Sequence, residues 1–516
     1  MGDAHRRRSQ FAFVPLDPIP AVNYSALFLQ LLPEAVLVIT ALVLLGVAVA
    51  TEAKTRRPIA MELAIAISSV GIVGACAALN FCPTHVQSAS SLLVTDPLAR
   101  VFKAVVLGLG LLAVLLPPAR REITQPGEFH ALVLFALTGL LLTVGTDHLL
   151  FLFVALELAS LSLYLLAGFS RSPKAAEAAL KYFLFGGVSA AFFLFGLSLI
   201  YGFCHALTLP AIAAALTAGP LPPYAVVGLL MVIVGLAFKL AAAPFHYWAP
   251  DVYQGAPATS VALIAAASKA VGAVVLVRLL LMGFGAAAGS ASWGLMQPGW
   301  SLWLGVLAAV SMVFGNVLAL AQTSVRRLLA YSAVANTGYL LVALSSNGAV
   351  AAGAALFYVV VYGLATFGAL ALTAAVERER GDDSLGAFAG LVHRSPLQAV
   401  ALMIFLTSLA GVPPLAGFAG KFVMFGAAMA KSTTHGTPGL TWLVGLAAIM
   451  SAISLYYYLM VLKQAFVREA AEVAPVELST SHRLALLIPA VLLVALGLFP
   501  ALLLSPLTRA LLATME

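Results

Sequence analysis

Residues 235–257 read GLAFKLAAAPFHYWAPDVYQGAP. A lysine, Lys239, ends a long apolar stretch, and Pro244 follows it by five residues. A proline inside a helix removes one backbone hydrogen bond and clashes with the turn before it. At membrane depth, non-helical backbone is tolerated only where protein buries it or where it lines a wet cavity. The stretch therefore predicts a break in a long helix with a charged side chain beside it.

The rest of the chain agrees with that reading. Of 516 residues, 62% are hydrophobic and 9% charged, with a mean hydropathy of +1.05; soluble chains carry about 25% charged residues. Apolar runs long enough to cross ~30 Å of hydrocarbon as helices recur throughout. They lack the alternation and the ~10-residue length of barrel strands. The net charge of +7 does not point to nucleic acid, because the 27 Lys and Arg lie scattered in short loops and no basic run exceeds Arg6 to Arg8. Cys76, Cys82 and Cys204 have no metal-ligand spacing, so neither an iron–sulfur cluster nor a haem is supported.

Fourteen spans are predicted near 25–50, 59–81, 93–116, 129–146, 148–169, 177–203, 224–248, 257–284, 301–321, 326–345, 349–377, 395–430, 439–466 and 481–513. The first is too long for the core of a cleaved leader and reads as a retained span. Basic residues follow alternate spans: Lys54, Arg56 and Arg57; Arg120 and Arg121; Arg171 and Lys174; Arg326 and Arg327; Arg378, Arg380 and Arg394; Lys463 and Arg468. The positive-inside rule puts these loops in the cytoplasm and both termini outside. Arg6 to Arg8, on the outer tail, run against the rule. The long loops are too short for a separate extramembrane domain. The expected organisation is one all-α transmembrane domain: three N-terminal helices (25–116), a five-helix repeat (129–284), a second (301–466) and a C-terminal helix (481–513).

Charges at mid-membrane cost roughly 2.5–3.5 kcal/mol each on insertion scales, so each is a candidate for function. Four stand within apolar sequence: Glu157, Lys239, Lys269 and Lys421. A low-dielectric site disfavours the charged form of an amine and a nearby carboxylate restores it. A Glu157–Lys239 pair would thus be a switch: paired, the lysine holds its proton; separated, it can release one to Lys269 or to water. The alternative is a static ion pair that fixes packing. Lys181, one turn inside its span, either extends the network or snorkels. His246 either bridges protons between Lys239 and Lys269 or is satisfied in place. Glu34 reads as a residue at a helix start or a contact with a neighbouring subunit, Asp251 as an anchor of its turn. Asp96, Arg100 and Lys103, at i, i+4 and i+7, are expected to pair with one another. Pro413 and Pro414 precede Lys421 as a second break, and interrupted helices in two halves are the pattern of inverted repeats. With five helices each, the second half must start from the opposite side.

These residues carry a resemblance. The segments LELASLSLYLLAGF (156–169), EAALKYFLFGG (177–187), FKLAAAPFHYWAPDVYQGAP (238–257), RRLLAYSAVANTGYLLVAL (326–344) and SLAGVPPLAGFAGKF (408–422) resemble the antiporter-like membrane subunits of respiratory complex I, a family shared with multisubunit Na+/H+ antiporters. Lys421, where the M type has a glutamate, and the VYQGAP turn favour the N type; fourteen spans without a long lateral helix disfavour the L type. The resemblance implies proton translocation through Glu157, Lys239, Lys269 and Lys421, with Lys421 on the exit side. It implies a bacterial inner membrane, other membrane-arm subunits as partners, and quinone reduction elsewhere as the energy source. NADH, FMN, iron–sulfur clusters and quinone would then be bound by other subunits, and this chain would carry no redox chemistry of its own. One departure stands out: Asn336 lies where the family commonly has histidine, and an amide takes up no proton. The rival readings are a subunit of a Na+/H+ antiporter, a subunit of another energy-converting complex, and a scaffold that has lost pumping.

Overall fold

The computed structural model describes residues 24–83, 92–117, 123–217, 219, 221–432, 439–469 and 475–515; Arg6 to Arg8, Arg120 and Arg121 lie outside them. Among the described residues every long element is an α-helix, and twelve helices are long and apolar enough to cross a membrane. They are α1 (Leu32–Thr55), α2 (Met61–Ala78), α3 (Pro97–Leu115), α4 (Pro126–Val144), α5 (Leu149–Ala167) and α6 (Pro173–Cys204), then, after the short α7 (Leu209–Thr217) and the broken pair α8 (Pro223–Lys239) and α9 (Ala249–Gly255), α10 (Ala258–Gly283). The second half runs α11 (Trp300–Leu320), α12 (Val325–Ser345), α13 (Ala349–Arg380), the broken pair α14 (Pro396–Ala410) and α15 (Ala416–Ser432), α16 (Thr441–Val467), α17 (Thr480–Leu498) and a short terminal α18 (Ala501–Met515). Twelve spans plus the two broken elements account for the fourteen expected.

The breaks fall at the prolines. Helix α8 stops at Lys239, and α14 stops at Ala410 before Pro413 and Pro414. One expectation is corrected: 481–513 is two helices, not one, divided at Phe499 and Pro500, because the proline cannot continue the donor ladder. Helix α10 is continuous but widens into π turns at Ile264–Ser268, just before Lys269, and again at Arg278–Gly283.

Helices that are apolar all round belong in a core. Here α10, α12 and α13 are buried almost end to end, whereas α1, α6 and α16 keep large apolar residues such as Ile39, Phe185 and Ile449 outward. Small residues let the helices approach. A side chain on Gly139 of α4 would meet the Ala159 backbone of α5 at 2.5 Å, and one on Gly315 of α11 the Ala335 backbone of α12 at 2.4 Å. The two halves also tie their loops alike. Leu149 N donates to Leu207 O and Leu209 N to Asp147 O; Val325 N donates to Asp383 O and Leu385 N to Thr323 O. All these positions, glycines included, are related by one constant offset along the chain.

Candidate functional site

Lys239 is the last residue of α8 and is buried, where a helix C-terminus favours a cation. Its Nζ donates to Ser160 Oγ of α5 at 2.7 Å, while that hydroxyl donates to Leu156 O. Glu157, one turn earlier on α5, is only half-buried and makes no direct ion pair with Lys239 among the described residues. Both line a cavity of about 30 Å³ with Tyr164, Ser189 and Phe193, room for at least one water. The structure thus holds acid and amine apart, with a hydroxyl and a water-sized space between them.

The break beyond Lys239 is satisfied by two hydroxyls of the other half of the molecule and by an indole of its own. Leu240 O accepts from Thr337 Oγ1 at 2.6 Å, Ala243 N donates to Ser311 Oγ at 2.9 Å, and Trp248 Nε1 donates to Phe238 O at 3.1 Å. A buried backbone group without a partner would be costly, so these side chains permit the break. Thr337 serves the next lysine as well: Lys269 Nζ donates to Thr337 Oγ1 at 2.9 Å and to Ala333 O at 2.8 Å, and lies 4.9 Å from the Tyr362 ring centre. One threonine therefore joins the first break to the central lysine.

Lys421 repeats the design at the second break. Its Nζ donates to Leu409 O and Ala410 O, the last carbonyls of α14, at 3.0 and 3.1 Å, and to Ser451 Oγ of α16 at 2.9 Å. Gly411 turns the chain there at φ +86°, and a side chain on it would press the lysine stem at 3.0 Å. The ammonium faces the Tyr339 ring at 4.7 Å. Tyr339 OH accepts from Asn316 Nδ2 at 3.2 Å, and Asn316 Oδ1 accepts from Tyr457 at 3.1 Å. Asn336 donates to Ser332 O at 2.8 Å and accepts from Tyr358, while Ser332 and Tyr458 share a hydrogen bond of 2.5 Å. Asn336 is thereby locked inside a hydroxyl network along α12, α13 and α16.

The other singled-out residues lie elsewhere. His246 is buried in the first break against Tyr247 and 6.2 Å from the Tyr331 ring. Among the described residues no hydrogen bond joins it to Lys239 or Lys269; Thr337 stands between those sites instead. Lys181 pairs with Glu177 and Asp251, each at 2.6 Å, and Arg327 holds the other Asp251 oxygen at 2.7 Å. Burial would raise the Asp251 carboxyl, but the Lys181 and Arg327 hydrogen bonds hold it below its ordinary value. The expected pairing of Asp96, Arg100 and Lys103 is corrected: Lys103 pairs with Glu34 of α1 at 2.6 Å, and Asp96 with Arg278 of α10 at 2.7 Å. The i, i+4 spacing reports neighbours on one helix only, and these partners come from other helices. Ser160, Thr337, Tyr339 and Ser451 were not singled out by sequence, since a hydroxyl in an apolar helix is common and carries no periodic signal.

Comparison with known proteins places this arrangement. Residues 146–437 match the membrane family described as "NADH:quinone oxidoreductase/Mrp antiporter, TM". The chain belongs to that family. Among its relatives, an Acidobacterium capsulatum protein named NADH-quinone oxidoreductase subunit N 2 is 44% identical over 93% of this chain and 98% of its own length. A Methanosarcina mazei protein named F(420)H(2) dehydrogenase subunit N is 36% identical, covering 92% and 96%. Among solved structures, a chain of respiratory complex I from Thermus thermophilus with bound aureothin superposes with a TM-score of 0.75 at 34% identity, covering 92% of this chain and 98% of that one. The family match spans both breaks and all four candidate residues.

Proposed function

We propose that this chain is the N-type proton-translocating membrane subunit of an NADH:quinone oxidoreductase. The observation that carries the reading is the placement of three buried ammonium groups, Lys239, Lys269 and Lys421, two of them at helix breaks, with hydroxyls and freed carbonyls linking the first break to the central site. Glu157 and Lys239 form the first exchange pair, Lys269 the central relay and Lys421 the exit-side group. Lys181 and His246 are secondary members, Lys181 through the Asp251 network and His246 through the first break.

A proton arriving at the Glu157 side enters the cavity beside Lys239. Transfer to Lys239 amine leaves Glu157 as carboxylate; release from Lys239 towards Lys269 passes the Leu240–Thr337 junction. The two halves, 129–284 and 301–466, act as inverted repeats, supported by their matched loop ties and glycine contacts. The N-terminal helices (25–116) and the C-terminal segment (481–513) flank them. The chain sits in a bacterial inner membrane with both termini outside and packs against other membrane-arm subunits and lipid. It binds no redox group; NADH, FMN, iron–sulfur clusters and quinone belong to partner subunits, whose quinone chemistry drives the transfer. The Methanosarcina mazei relative, named for a different electron donor, favours one second reading: the same channel serving another energy-converting complex, because the donor is set by other subunits.

The test is proton pumping in inverted membrane vesicles carrying Lys239→Ala, with electron transfer and assembly followed in parallel. Assembly with loss of both pumping and electron transfer is expected. Normal assembly with normal pumping would overturn the reading.

A further inference from the structure

Outside the four candidate residues, the largest set of buried charges lies where α1, α3, α4 and α10 meet. Glu34 and Lys103 pair at 2.6 Å with side chains only 4% and 7% exposed. Gln30, one turn before Glu34, is 1% exposed, and neither of its side-chain polar atoms has a hydrogen-bond partner among the described residues. Asp96 caps α3 through Ala99 N and also binds Arg278, nine residues beyond Lys269 on α10. Two small cavities lie at this end, about 10 Å³ each: one, lined by Cys82, Asp96, Arg100 and Lys103, reaches the lysine of the Glu34 pair, and the other, lined by Thr146, Asp147 and Arg278, reaches the arginine of the Asp96 pair. Each is near the lower limit for one water.

A buried ion pair contributes little net stability, since desolvation of both ions offsets their attraction and apolar replacements are often neutral. A buried pair whose lysine lines water-sized space, one turn from an unpartnered amide, points to proton exchange. We propose that Glu34, held by Lys103 one turn after Gln30, is a further proton-binding site, on the outer side of the membrane, through which protons equilibrate with the charges at the end of the α10 helix. This rests on the proton-translocation reading and its topology.

The step is simple. The Glu34 carboxylate takes a proton that reaches it past Lys103 from the cavity this lysine lines, becoming the neutral acid while Lys103 keeps its own. Release to outer water restores the carboxylate, and no other bond changes. Cys82 beyond α2 and Asp96 and Arg100 of α3 line the cavity at Lys103, while Arg278 of α10 and Asp147 of the α4–α5 loop line the other. Burial pushes the Asp147 carboxyl above its ordinary value, against the opposing charge of Arg278, so a second exchangeable acid stands at the same end.

The decisive variant is the neutral pair Glu34→Gln with Lys103→Met, which removes both charges together and spares assembly, compared in inverted vesicles with Lys239→Ala. Normal assembly with pumping and electron transfer reduced at least threefold is expected. Wild-type pumping by the neutral pair, while Lys239→Ala is impaired, would leave the channel reading intact and refute the inference. If Lys239→Ala also pumps normally, the channel reading itself fails. Should the neutral pair not assemble, infrared difference spectra of the wild-type complex and of Glu34→Asp decide. A carboxyl band that grows as pH falls and moves in Glu34→Asp supports the site, and a spectrum without one rejects it.

Discussion

Ser160 is the hydroxyl through which Lys239 is held, and its other hydrogen bond runs back to its own helix at Leu156 O. Ser160→Ala leaves an ammonium buried without that acceptor, a loss of about 1.5–3 kcal/mol for a charged donor. Proton pumping is expected to fall several-fold with assembly retained, read in vesicles. Thr337→Val removes the bridge from Leu240 O to Lys269 in one step; the same assay should show a drop comparable to Lys269→Ala. Asp251 gives a pH test. Its carboxyl titrates lower in the folded chain, so its contribution is fully present above the ordinary carboxylate value near ~4 and is lost as pH falls through the lower folded value. Between pH 5 and 8 the thermal stability of the complex should therefore not vary with pH through this group, whereas Asp251→Asn should lower that stability throughout by about 1 kcal/mol or less, as partly exposed pairs do.

Helix-scale features divide between what local sequence encodes and what it does not. The breaks at Pro244 and Pro413 were legible, because a missing donor is a property of the residue itself. The second helix boundary near Pro500 carried the same signal but was overlooked inside an apolar run. The pairing of Asp96, Arg100 and Lys103 was misread because spacing reports only neighbours on one helix, and their buried partners come from α1 and α10. Thr337, Tyr339 and Ser451 were illegible for a related reason: their acceptors and donors sit on other helices, close only after packing. The close approach of α4 to α5 and of α11 to α12 is testable at this scale. Gly139→Ala or Gly315→Ala places a methyl against backbone at 2.5 or 2.4 Å, a strain of about 1–3 kcal/mol. Each should reduce the amount of assembled subunit in membranes, measured by blotting against an unaffected subunit.

At the scale of the whole molecule, the alternation of basic loops predicts both termini outside. A periplasm-dependent phosphatase fused after residue 516 is expected to be active, and a fusion in the loop near Arg378 inactive; the reverse pattern would invert the topology. The constant offset between the halves has a further consequence. In that register Ser160, the partner of Lys239, falls opposite Asn336, and Glu157 falls opposite Ala333. The two halves thus carry a comparison between them. One half carries an acid where the other carries a methyl group, so matched substitutions made at the same offset measure within a single molecule what the acid contributes.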